Sequence, residues 1–164
     1  EVSVATPTAT DADPRRLRAE RLFQAAGAVI LRAPAIYGAD RGVHQRIRAG
    51  AHRIPGDGSR FTSRIHVDDL AALLLGALYT QKNDRRHSGS VFPVGDATPC
   101  SHKEIAQFVC ETFSVPFPAS VPLEEAPVTL RGDRRVDGRA ACEAFGVSLR
   151  YPSFRDGIGQ DGPT

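Results

Sequence analysis

Methionine is absent from the 164 residues and the chain opens at Glu1, which reads as a processed chain or a fragment of a longer one. No apolar run approaches the roughly 18 to 20 residues that span a bilayer, and no basic, apolar, small-residue stretch opens the sequence as a secretory signal would. Direct membrane insertion is therefore excluded, and the expectation is a soluble intracellular protein, in the cytoplasm or in an organelle. Cysteine is scarce: Cys100, Cys110 and Cys142 are odd in number and lack C-x-x-C spacing, so they read as free buried thiols. His44, His52, His87 and His102 also lack the spacing of a metal site, and no metal is expected. Lysine is confined to Lys82 and Lys103; the rest of the 21 basic residues are arginines, and 19 acids bring the net charge to +2. That balance, with no aromatic stacking surface beside Arg15, Arg16, Arg18 and Arg21, argues against nucleic acid as a partner.

What remains is 41% apolar, enough to bury a core, and the chain has the length of one domain. Residues 1–10, rich in Thr, Val and Pro, read as a loop. Asp13-Pro14 then supplies an N-cap and a first-turn proline, and Leu17, Ala19, Leu22, Phe23 and Ala26 repeat at helical spacing up to Gly27. Ala28 to Leu31 is a short continuous apolar run, the pattern of a parallel strand covered on both faces and paired on both edges. A loop over 32–42 should follow at its carboxyl end, the edge where doubly wound folds bind ligands. A short helix is predicted over 43–49, and Gly56-Asp57-Gly58-Ser59 predicts a tight turn between two extended pieces. Asp68 or Asp69 should cap the next helix, and Leu70 to Tyr79, apolar on every side, predicts full burial. Val91 to Val94 predicts a strand. Ser101-His102-Lys103-Glu104 is a capping box opening a helix to about Phe113, with Ile105, Phe108, Val109 and Thr112 facing inward. Prolines 116, 118 and 122 mark an irregular stretch before a short helix over 139–145 that Gly146 ends. Helices alternating with short apolar strands give an α/β class.

Among the polar patterns, Arg64-Ile65-His66-Val67-Asp68-Asp69 stands out. Strand alternation places Ile65 and Val67 on one face and Arg64, His66 and Asp68 on the other. His66 is a candidate pocket residue, with a hydrogen-bonded structural histidine as the competing reading. Gly56-Asp57-Gly58 and Ser88-Gly89-Ser90 carry turn chemistry, not a phosphate loop.

Five segments in order, Leu17 to Glu20, Ile30 to Arg41, Arg64 to Ala72, Val91 to Asp96 and Leu149 to Ile158, resemble the second half of an extended, atypical short-chain dehydrogenase/reductase of the NAD-dependent epimerase/dehydratase family. The resemblance covers nearly the whole chain. It implies the C-terminal part of a Rossmann-like doubly wound sheet plus a small substrate-side α/β subdomain, so that 1–164 is a single partial domain without the nucleotide-binding half. NAD or NADP is the family's cofactor, and none is expected for this chain alone, because no glycine-rich loop supplies a pyrophosphate cradle. The family's Y-x-x-x-K pair falls on Ala12 and Arg16, so no catalytic residue is assigned. By the same resemblance Ala33, Pro34, Ala35 and Ile36 lie beside the nicotinamide. Arg16 is a candidate for a phosphate or ribose, or else a solvated helix arginine. Tyr37, Arg41, Arg64 and His66 are the candidate substrate residues; Tyr37 also reads as filling space beneath the loop, and Arg41 as a surface ion pair. The implied function is the substrate-side portion of a catalytically degenerate epimerase, dehydratase or reductase-like protein. The alternative is a non-catalytic structural or assembly subunit of a larger complex. The implied partner is the missing half or another chain that completes the sheet.

Overall fold

The structure, a computed structural model, describes residues 13–159. The predicted opening loop and Ala12 lie outside them. The first helix, α1 (Pro14–Ala25), starts as expected: Asp13 caps it, its carboxylate accepting from the Arg15 amide, and Pro14 occupies the first turn. Its apolar residues are not buried, however. Leu22 and Phe23 are largely exposed and no α1 side chain reaches the core.

Strand β1 is Ile30–Arg32, displaced toward the carboxyl side of the predicted run. It pairs in parallel with β6 (Val91–Pro93), with Ile30 opposite Val91, and its other edge is unpaired among the described residues. Strand β2 (Ala35–Tyr37) pairs in parallel with β5 (Arg64–His66), Ile36 opposite Ile65. The two ladders are stitched together beyond β6, where the Val94 amide donates to the Arg32 carbonyl and the Asp96 amide to the Arg64 carbonyl. Two smaller ladders complete the fold: β3 (Ile54–Pro55) runs parallel to β8 (Ser120–Val121), and β4 (Phe61–Thr62) antiparallel to β7 (Cys100–Ser101). The Gly56–Ser59 turn therefore separates two extended pieces as predicted, but each pairs with a distant strand and not with the other. All three residues of β5 are buried, which replaces the expected alternation of faces.

Helix α2 (Val43–Arg48) packs on α4 (His102–Phe113), which has the full capping box of Ser101 and Glu104. Ile105 and Val109 face inward as predicted and Ala106 joins them, while Thr112 is exposed and bonds back to the Phe108 carbonyl. With Tyr37, Ile54, Cys100 and Phe154 these residues form one core. The other core is built by Ile65 of β5, Val94 just after β6, Leu73 and Ala77 of helix α3 (Val67–Asn83), and Ala141 and Phe145 of helix α5 (Arg139–Phe145). The cap of α3 is His66, whose Nδ1 accepts from the Asp68 amide, and not either aspartate. Nor is α3 buried all round: Leu74, Leu75, Leu78 and Tyr79 are exposed. A last short helix, α6 (Phe154–Gly157), places the Phe154 ring in the first core. No helix among the described residues is long and apolar enough to cross a membrane, and no group of three metal-ligating side chains occurs there. The three cysteines are free, Cys100 buried and the others half-buried.

Candidate functional site

The segment that leaves β1 at the carboxyl end of its parallel pair is not the continuous loop expected over 32–42: Ala35–Tyr37 form β2, held by pairing with β5, and only the residues on either side of it are loop. Ala33 and Ala35 are exposed on this segment, Pro34 and Ile36 half-buried. A one-pair bridge between Gly38 and Arg41 closes its far end through reciprocal backbone hydrogen bonds, and the Arg41 side chain is exposed. Both loop glycines admit close packing: a Cβ on Gly38 would lie 2.8 Å from Val67 Cγ1, and one on Gly42 would lie 2.9 Å from His44 Nδ1 and from Tyr37 Cβ.

Beneath the loop the structure gathers Tyr37, Arg64 and His66, which are 3%, 4% and 5% exposed. The Tyr37 hydroxyl donates to the Ser153 carbonyl at 3.4 Å, and its ring meets the His66 ring edge-on at 5.1 Å between centroids. His66 also lies against the Tyr151 ring at 3.9 Å. Because His66 Nδ1 accepts from the backbone, the neutral ring carries its proton on Nε2; the exposed Asp68 carboxylate stands 3.7 Å from Nδ1. Burial, reinforced by the negative field of Asp96, pushes the Tyr37 hydroxyl well above the usual tyrosine range, so it remains an O–H donor.

Arg64 is the buried cation of this region. Its Nη1 contacts Cys100 Sγ at 2.6 Å and its guanidinium lies 5.5 Å from the Phe154 ring centroid. Its electrostatic counterpart is Asp96, though no direct ion pair joins them. The Asp96 carboxylate is 1% exposed and neither oxygen makes a hydrogen bond of acceptable geometry. Burial raises it to about 7, against the lowering influence of Arg64 and of the nearby Thr98 amide. Asp96 also belongs to the wall of a cavity of about 510 Å³ between the end of β6 and the start of α5, with Arg135, Asp137, Arg139 and Glu143 on its sides. Arg16 lies apart, exposed on α1.

Three residues of this region have no separate signal in the sequence. Asp69 was read as a cap; it is buried, and its two oxygens accept from the Arg150 and Tyr151 amides at 2.7 and 2.9 Å. Tyr151 and Asp96 lie in motif-like segments, but only the folded chain brings one onto His66 and the other near Arg64. A carboxylate after a strand and a glycine, as in Val94-Gly95-Asp96, was the one available hint.

No family model matches the chain. A 3-diazoavenalumate denitrifying reductase from Streptomyces sp is 27% identical over 136 residues, which are 76% of this chain and 42% of that protein. A functionally unknown conserved protein from Silicibacter pomeroyi superposes with a TM-score of 0.75 at 29% identity, covering 92% of this chain and 55% of that one. The human epimerase family protein SDR39U1, solved with NADPH, superposes with a TM-score of 0.65 at 20% identity over 80% of this chain and 46% of its own. The chain thus spans about half the length of these relatives. Its fold is that of about half of an NAD-dependent epimerase/dehydratase chain, as in the one from Methylobacillus flagellatus that it matches with a TM-score of 0.67.

Proposed function

We propose that this chain is the substrate-side portion of an NAD(P)-linked epimerase, dehydratase or reductase-like protein in which the tyrosine-driven chemistry is degenerate. The observation that carries this reading is the segment over 33–41, which leaves the carboxyl end of a parallel strand with Ala33 exposed ahead of β2 and Ala35 exposed at its start. The relative solved with NADPH supports a nicotinamide dinucleotide as the cofactor of the whole domain. This chain's own residues fit one wall of such a site. They do not fit the whole group: the two glycines between β2 and α2 are closed over by Val67, His44 and Tyr37, which leaves no phosphate cradle there. Binding therefore depends on a nucleotide-binding half, in the same protein or in another chain, that completes the sheet at the free edge of β1.

A specific observation favours the second reading, a non-catalytic structural or assembly subunit. Tyr37, Arg64 and His66 are packed into the interior and are withdrawn from any substrate. Calorimetry separates the two. The isolated chain should show no micromolar binding of NADH or NADPH, and its complex with a nucleotide-binding half should bind one of them; micromolar binding by the isolated chain defeats both readings. Sugar-nucleotide turnover by the complex, slow but measurable, selects the first reading, and cofactor binding without turnover selects the second. Robust turnover abolished by Tyr37→Phe would reveal a relocated acid and overturn the degeneracy.

A further inference from the structure

Helix α1 rests on the sheet the wrong way round for a core helix. Its inward residues, Leu17, Glu20 and Gln24, recur at spacings of three and four and are half-buried, two of them polar, while Leu22 and Phe23 are largely exposed. None of its side chains enters either core. An ion pair seats it instead. Glu20 accepts from Arg32 Nε at 3.1 Å and from Arg32 Nη2 at 2.5 Å, with the two side chains 19% and 28% exposed. Two-point contact and partial burial make this pair stronger than one in open water, and the hydrogen bonds from Arg32 hold the Glu20 carboxyl below its ordinary range. Gln24 Nε2 adds a hydrogen bond to the Gly89 carbonyl at 3.0 Å.

The carboxyl end of α1 is fixed differently. Gly27, at φ of 82°, turns the chain toward β1, and its carbonyl accepts from Gln81 Nε2 of α3 at 2.9 Å and from Ser88 Oγ at 3.1 Å. This joint is tied to the body of the domain, and the helix ahead of it is not. Within β1, Leu31 packs against the second core, so strand alternation turns Ile30 and Arg32 to the α1 side. A helix of 12 residues is marginal by itself in water, so α1 keeps its turns only while it is docked.

We propose that α1 is a lever, pinned at Gly27 and latched onto β1 by Glu20 on Arg32, which swings off the sheet as a unit while both cores stay folded. The latched side faces β1 of the same chain, so the latch depends neither on what covers Leu22 and Phe23 nor on the activity of the domain. It also sets the charge at the root of the 33–36 segment: docked, α1 neutralises the Arg32 guanidinium, and released, it leaves that cation free one residue before Ala33. Hydrogen exchange of the full 164-residue chain, read on peptides, is the test. Residues 14–25 should exchange at least roughly tenfold faster than residues 102–113 of α4. Raising NaCl from about 0.05 to 1 M should speed exchange in α1 and leave α4 unchanged, because a partly exposed pair is screened. Glu20→Gln should speed exchange in α1 roughly tenfold, and the reversed pair, Glu20→Arg with Arg32→Glu, should recover most of the protection. Should the variants fail to fold, the salt series on the unaltered chain decides. A common exchange rate for α1 and α4, indifference of α1 to salt or to Glu20→Gln, or a reversed pair no better protected than Glu20→Gln would each overturn the proposal.

Discussion

Two adjacent carboxylates, Asp68 and Asp69, meet opposite surroundings. Asp69 is buried and ties the start of α3 to the Arg150–Tyr151 backbone, whereas Asp68 is mostly in water. Asp69→Asn puts an NH2 where two backbone donors need an acceptor and should cost about 2 kcal/mol of stability; Asp68→Asn should cost far less, and urea unfolding of the pair checks the contrast. Two other buried groups oppose each other with pH. His52 is driven down to about 4 by burial and by Arg46, His102 and Arg53, while Asp96 is driven up to about 7. From pH 6.5 down to 4 the unfolded chain protonates His52 and the folded chain does not, so acid destabilises through that residue. From pH 7 down to 4 the folded chain holds a proton on Asp96 that the unfolded chain lacks, so acid stabilises through that one. Each contribution is on the order of 3 kcal/mol. The expected outcome is that Asp96→Asn loses stability on acidification from pH 6.5 to 4 more steeply than the parent, and His52→Gln less steeply. Thermal midpoints across that range measure both. At this scale the sequence offered Tyr37, Arg64 and His66 as substrate residues, and the register of β2 on β5 brings the three together. The sequence did not reveal that they are buried, because burial depends on Tyr151, Ser153 and Phe154, which reach the same place from the far end of the chain.

Local signals set the ends of the elements. Asp13-Pro14, the Ser101 and Glu104 box and Gly146 all stand where the sequence put them, because a cap is satisfied within a few residues of itself. Outward faces are another matter. The exposed apolar side of α3 read as core because an apolar pattern does not say which molecule covers it, and the helical spacing of Leu22 and Phe23 on α1 is equally silent about their exposure. Close approach between elements is equally silent. At the start of α5, a Cβ on Gly138 would lie 2.7 Å from the Gly95 carbonyl oxygen and 2.8 Å from its nitrogen, so this helix rests directly on the backbone after β6. Gly138→Ala is therefore expected to cost up to about 3 kcal/mol by overpacking. Gly146→Ala, at φ of 63° but with open space around it, should cost nearer 1 kcal/mol for its left-handed backbone alone. Denaturant midpoints of the two variants rank them.

At the scale of the whole molecule, the α/β class and the order of elements were legible, and the ladders were not. A turn sequence such as Gly56 to Ser59 says that the chain reverses; it does not say that β3 will seek Ser120 and β4 will seek Ser101. Every ladder in the described chain joins strands distant in sequence, and no two consecutive strands form a hairpin. Refolding from denaturant should accordingly occupy milliseconds to seconds, as loop closure must precede any pairing; a microsecond phase carrying the full amplitude in stopped-flow and temperature-jump traces would contradict this. The same topology bears on synthesis in the cell. Ile30 can pair only after Val91 has been made, and at about 5 to 20 residues per second the ribosome needs roughly 3 to 12 seconds to travel that distance. Throughout that interval the nascent chain displays β1 with both edges open to any passing strand or chaperone. The edge opposite β6 is still unpaired when the described chain is complete.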